Sequence, residues 1–227
     1  MTRLYVVVEG QTEEAFVKGV LGPQLLERHV LAEPIIVTTS RESGGRKHKG
    51  GGLWKHWRAD LVRVLCEQVP GGAWVTTMFD LYGLPKDFPD LALVQAAPTP
   101  DLKVEAAERA LATALLDVEA SQRLIPYIQL HEYEALVLAC LEDLESVLDA
   151  REDLDGLRRL QAELGDTAPE DVNDGVETSP SKRLERHIPG YDKTLHGELA
   201  LWNAHLPTLM ETCPHFGAWV RRLERLG

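Results

Sequence analysis

Two short apolar runs, each closed by an acid, constrain this chain more than any other feature. Leu4–Val8 is a continuous run rich in β-branched residues and is followed by Glu9-Gly10. Trp74–Phe79 is a second strand-like run, and it ends at Asp80. Uninterrupted runs of this length suit strands buried on both faces, and therefore a parallel sheet covered by helices. Helical patterns fill the intervals. Thr12-Glu13-Glu14 reads as an N-cap with acids in the first turn, opening a helix that ends near Gly22-Pro23. Leu53, Trp57, Leu61, Val64 and Leu65 share one helical face, which runs to about Glu67 before Pro70-Gly71-Gly72 breaks it. A further helix is expected from about Leu102 to Leu116.

Two more strands complete the pattern, Ile35–Thr39 and Leu124–Leu130. Pro126 pushes the latter toward a sheet edge or a bulge, because proline cannot donate to the ladder. His131-Glu132-Tyr133-Glu134 opens the next helix. Beyond Leu141 only helices and loops are expected, with a polar loop over Gly165–Pro180. The fold class is therefore α/β: a Rossmann-like parallel sheet of about four strands flanked by helices. Residues 1–141 form this core, and 142–227 form a helical C-terminal extension packed on the same domain.

Length and charge narrow the function. A chain of 227 residues, 44% hydrophobic, can bury a full core. Its 24 basic and 36 acidic side chains leave a net charge of −12, which argues against a general nucleic-acid coat protein. A metal-dependent nuclease stays open, since its site is itself built from carboxylates. The charge is uneven: Arg41–Arg63 holds seven Lys or Arg against two acids, while Glu142–Glu177 holds thirteen acids against three Arg. No apolar run approaches the roughly 18–20 residues that span a bilayer. The N-terminal stretch lacks a signal-peptide pattern, so a cytoplasmic protein without membrane contact is expected. Cys66, Cys140 and Cys213 form no paired motif, which speaks against a disulfide framework or a zinc knuckle.

In an open parallel sheet, ligands bind beyond the carboxyl ends of the strands, where strand order reverses. Glu9, Asp80 and the pair Glu132/Glu134 all follow strand ends. If the first and third strands are neighbours, Glu9 and Asp80 converge there. Gathered carboxylates repel one another unless a cation lies between them, and Mg²⁺ or Mn²⁺ is the hard partner for such oxygens. A metal of this kind polarises a phosphoryl oxygen and activates water.

The motifs Val8–Glu14 (Val-Glu-Gly-Gln-Thr-Glu-Glu), Phe79–Pro85 (Phe-Asp-Leu-Tyr-Gly-Leu-Pro), Leu130–Leu136 (Leu-His-Glu-Tyr-Glu-Ala-Leu) and Ser179–Leu184 (Ser-Pro-Ser-Lys-Arg-Leu) occur in this order along nearly the whole chain. Together they resemble a bacterial Toprim-like family catalogued as a domain of unknown function, similar to the Toprim nuclease domains of OLD and RloB proteins. The resemblance implies a Toprim-like fold and a Mg²⁺-dependent phosphodiesterase, a nuclease of prokaryotic defence or DNA maintenance. Nucleic acid would be its substrate and an AAA- or ABC-type ATPase its partner. It makes Glu9 the metal ligand or general base and Asp80 the first acid of an Asp-x-Asp pair. Tyr82 stands where the second acid belongs, so the missing carboxylate falls to Glu132, Glu134 or Asp87.

Cations supply the rest. Lys182 or Lys193 could offset charge on a scissile phosphate, although an N-capped helix from Ser181 with solvated lysines accounts for the same residues. Arg46, Lys47 and Lys49 lie in a glycine-rich basic loop that could grip a phosphate backbone, with Trp54 and Trp57 nearby to stack bases or to join the core. The loop lacks P-loop spacing. His131 could line the site or be a hydrogen-bonded histidine at a strand end. His187, His196, His205 and His215 fit no ligand spacing, and Glu142–Glu177 reads as a solvated acidic face. Two other readings stay open: a non-catalytic Toprim-like subunit that binds an ATPase or nucleic acid, and a small-molecule phosphohydrolase.

Overall fold

The two acid-terminated runs form adjacent parallel strands. β1 (Thr2–Val8) lies between β2 (Val30–Ile36) and β3 (Trp74–Asp80), parallel to both, with Val8 opposite Met78. Leu4, Val6, Val7, Val8, Val75 and Phe79 are fully buried, as strands covered on both faces require. The computed structural model describes residues 1–37, 52–172 and 178–227.

The sheet has five parallel strands in the order β2-β1-β3, followed on the far side of β3 by β4 (Leu124–Ile125) and β5 (Ile128–Gln129). The run expected as one fourth strand is thus two short pieces on the same edge of β3, parted at Pro126-Tyr127. Threonine side chains bridge the break. Thr76 Oγ1 donates to the Ile125 carbonyl at 2.6 Å. Thr77 Oγ1 donates to the Tyr127 carbonyl at 2.8 Å and accepts its N–H at 2.9 Å. These bonds satisfy backbone groups that a proline-broken ladder leaves without partners.

β2 begins earlier than its apolar run suggests. Ala32-Glu33-Pro34 pairs with Leu4-Tyr5-Val6, and Pro34 is accommodated because β2 is an edge strand. Thr38 and Thr39 lie outside the described residues.

The helices of this sheet are α1 (Gln11–Phe16), α2 (Gly22–Glu27), α3 (Trp54–Gln68), α4 (Leu91–Ala96) and α5 (Pro100–Thr113). The N-cap of α1 is Gly10, two residues before the expected Thr12, and Glu13 and Glu14 occupy the first turn. The helix also does not stop at Gly22-Pro23. A π-helical turn, Val17–Leu21, joins α1 to α2, and the Gly22 N–H donates to the Val17 carbonyl. That wider turn lets Pro23 enter at the start of α2, where its missing N–H costs little. A Cβ on Gly22 would lie 2.7 Å from the Val17 oxygen, so only glycine fits.

The chain forms two compact units, residues Met1–Gln129 with Arg222–Gly227, and Leu130–Arg221. Position 141 falls inside the second. In the first, the C-terminal residues return to the start of β1: Thr2 Oγ1 donates to the Leu226 carbonyl at 2.7 Å, and Gly227 packs against the Arg28 carbonyl.

The second unit is helical among its described residues: α6 (Glu134–Leu138), α7 (Leu141–Glu145), α8 (Arg151–Leu164), α9 (Pro180–His187), α10 (Glu198–Asn203), α11 (Leu206–Thr212) and most of α12 (Pro214–Glu224). Its core includes Leu136, Leu157, Leu160, Leu184, Leu201 and Phe216. Among the described residues no helix is long and apolar enough to cross a membrane.

Candidate functional site

Parallel pairing of β1 with β3 brings two acids to one sheet edge. Glu9 follows β1, Asp80 closes β3, and the order β2-β1-β3 makes this the point where successive connections leave in opposite directions. Both residues are half-buried. The Asp80 N–H donates to Glu9 Oε1 at 2.7 Å, a charge-assisted bond that anchors the glutamate to the backbone of the neighbouring strand end.

The turn after β3 completes the setting. Leu81–Gly83 forms a single 3₁₀ turn, and a Cβ at Gly83 would fall 2.8 Å from Glu9 Oε2 and 2.9 Å from Oε1. Gly83 therefore leaves the space that the carboxylate fills. Its φ is not positive; among the described residues the glycines with positive φ are Gly72 and Gly165, so here the requirement is room, not backbone freedom. Tyr82 is 46% exposed on the same turn. Gln129 pairs with Asp80 across β3–β5, is fully buried, and its Oε1 accepts the Tyr127 hydroxyl at 2.6 Å.

The three candidates for the missing acid each have other work. Asp87 Oδ1 accepts the Trp54 N–H at 2.8 Å, capping α3. Glu132 Oε1 accepts the Ser181 N–H at 2.7 Å at the start of α9, so the histidine-glutamate motif and the serine-proline motif meet in this bond. Glu134, only 3% exposed, pairs with Lys193, whose Nζ lies 3.0 Å from Oε1 and 5.3 Å from the centre of the Tyr133 ring. Burial raises the Glu134 carboxyl above its usual range; Lys193 opposes the rise and Glu132 adds to it. Burial likewise pushes up the Tyr191 hydroxyl, with the Glu134 charge contributing, and that hydroxyl makes no hydrogen bond among the described residues.

Glu9 and Asp80 belong to the first unit; His131, Glu132, Glu134, Lys182 and Lys193 belong to the second. Lys182 is half-exposed and donates to Glu185 at 2.6 Å on α9, whose N-cap is Ser179. His131 is fully buried at φ 63°, and its Nε2 donates to the Glu170 carbonyl at 2.8 Å, the hydrogen-bonded alternative for this residue. Arg46, Lys47 and Lys49 lie outside the described residues. Trp57 is fully buried against Phe79, with ring centres 4.3 Å apart, so it is a core residue and no base can stack on it.

The acidic stretch is not uniformly solvated. Glu170, 5% exposed, accepts the N–H groups of His215 at 2.9 Å and Phe216 at 3.0 Å, capping α12 with both oxygens. Asp153 is 8% exposed and accepts the Gly190 N–H at 2.9 Å. Charge counting missed both, since only tertiary contact distinguishes a capping acid from a solvated one.

Among the described residues, no group of three or more His, Cys, Asp or Glu side chains is assembled to hold a metal. Glu9 and Asp80 supply two carboxylates, the number with which Mg²⁺ is commonly held when phosphate and water complete its octahedron. The glycine cradle beneath Glu9 fits a carboxylate that must hold one position. No curated protein and no solved structure matches the chain. A family model does match residues 8–224, and the chain belongs to that family, a domain of unknown function, DUF4276.

Proposed function

We propose that the protein is a Mg²⁺- or Mn²⁺-dependent phosphodiesterase of Toprim-like type, a nuclease that works with an ATPase in prokaryotic defence or DNA maintenance. One observation carries the reading: Glu9 and Asp80 stand at adjacent strand ends at the switch point of a parallel sheet, with the glutamate fixed by the Asp80 amide. A divalent cation bound there supplies Lewis acidity toward a phosphoryl oxygen. Glu9 and Asp80 hold the cation; Glu9, half-buried and anchored through one oxygen, keeps its orientation without reorganising. Lys182 and Lys193 lie in the second unit, and the role at phosphate proposed for them rests on the sequence alone.

The second reading is a non-catalytic subunit that binds an ATPase or nucleic acid. It is favoured by Tyr82 at the position of the second acid and by the capping and pairing roles of Asp87, Glu132 and Glu134. Calorimetry with Mn²⁺ and Mg²⁺ on the full chain separates the two. Saturable binding, lost in both Glu9→Ala and Asp80→Asn, followed by cleavage of an oligonucleotide with the same dependence, is the outcome expected of the enzyme. Binding absent with and without oligonucleotide would leave the subunit reading.

A further inference from the structure

The placement of Gly83 goes beyond a two-carboxylate site. Glu9 is a flexible side chain at a sheet edge, and a free glutamate there samples several rotamers. Contacts with Asp80 and Gly83 bear on its position in this structure. The Asp80 N–H holds Oε1 at 2.7 Å, and the bare Cα of Gly83 lies against the whole carboxylate. A Cβ at position 83 would stand 2.8 and 2.9 Å from the two oxygens and 3.2 Å from Cδ. All three nearest atoms belong to Glu9, and none is backbone. An added methyl would therefore press first on the carboxylate end of this side chain.

We propose that Gly83 is a positioning residue for Glu9: its absent side chain is the space that lets the carboxylate reach the Asp80 amide and present itself to a divalent cation. The inference rests on the metal-site reading of Glu9 and Asp80, and it adds a residue that bears no charge and touches no substrate. Because the obstructing atoms end a flexible chain, Gly83→Ala displaces Glu9 while the strand and turn stay in place. The alanine lowers the conformational entropy of the unfolded chain but takes the acceptor from the Asp80 N–H, so stability holds or falls slightly.

The test uses the full chain with Gly83→Ala, read in three ways. Thermal unfolding should give an unchanged or slightly lowered Tm. The Asp80 amide proton, followed by NMR, should lose the downfield shift of a charge-assisted hydrogen bond, while amides earlier in β3 stay in place. Calorimetry should show Mn²⁺ affinity weakened roughly 10–100-fold, the range for losing a contact that orients a metal ligand. An unmoved Asp80 amide would overturn the proposal. So would a moved amide with Mn²⁺ affinity unchanged. Failure of the variant to fold would overturn it too, because the backbone and not Glu9 would then be giving way. If the unsubstituted protein binds no Mn²⁺, the metal reading itself falls, and the Asp80 amide alone still decides whether Gly83 sets the position of Glu9.

Discussion

The first unit and the second both carry acids just past strand ends, and they use them in opposite ways. Glu9 and Asp80 are brought together by strand register, with a main-chain N–H anchoring one carboxylate and a glycine leaving it space. Glu132 and Glu134 follow the last strand in the same manner, yet one caps a helix and the other is buried against a lysine. The difference teaches how to read an acidic motif. A carboxylate spent on a helix start or a buried ammonium is part of the framework. One set at the carboxyl edge of a parallel sheet, where strand order reverses, stands where ligands bind in such folds.

The largest expected effect tests the first half of that contrast. Glu9→Gln and Asp80→Asn should each reduce divalent-metal affinity and any phosphodiester cleavage by on the order of 100-fold or more, with little change in urea midpoint. Equal losses of stability and activity would erase the distinction between the two acid pairs.

The second half makes the reverse forecast. Lys193→Met leaves Glu134 buried without its counter-ion and should destabilise the protein by about 2–3 kcal/mol in urea unfolding. That is less than for a fully buried pair, because Lys193 is partly solvated. The pH dependence has a definite sign. Burial raises the folded-state Glu134 carboxyl above its unfolded value, so the folded state holds the extra proton. Stability therefore falls as pH climbs from about 4.3, the unfolded value, through the raised folded one, and levels off above it. The fall should be steeper in Lys193→Met and absent in Glu134→Gln, which urea midpoints across this range would register.

Smaller effects sharpen the framework reading. Glu170→Ala strips two N–H groups of α12 of their acceptor and should cost about 2 kcal/mol. Glu132→Ala removes a single cap on α9 and should cost about 1 kcal/mol by the same measurement. Lys182→Met, breaking an exposed pair with Glu185, should change stability by less than about 0.5 kcal/mol. A large loss of cleavage in that variant would assign Lys182 to phosphate.

Much of the first unit was legible in the sequence, because its signals are local. Val6-Val7-Val8 and the run ending at Phe79-Asp80 mark β1 and β3 by composition, and the neighbouring-strand expectation that joins Glu9 to Asp80 holds. The Leu53–Leu65 face, read as a helix to about Glu67, marks α3 almost to the residue. Where the reading slipped, nonlocal geometry decides. Pro23 looks like a helix stop until a π-turn admits it, and Ala32-Glu33-Pro34 looks unlike a strand until Pro34 is seen on an edge. The short α4 carries too little periodicity to be seen. The room beneath Glu9 is illegible, since one glycine in a turn looks like another. Glu170 is hidden for the same reason: burial of an acid depends on helix ends that lie far along the chain.

The bond between Thr2 and Leu226 has a consequence for how the molecule comes to be. The first unit is discontinuous, and its last stretch, Arg222–Gly227, is synthesised only after the whole second unit. During translation the sheet is exposed to the ribosome's surroundings with the start of β1 still lacking its closing contact. The order of synthesis thus delays that contact until the helical unit has been made, and cotranslational proteolysis should find the start of β1 more cleavable before Arg222–Gly227 emerges than after it.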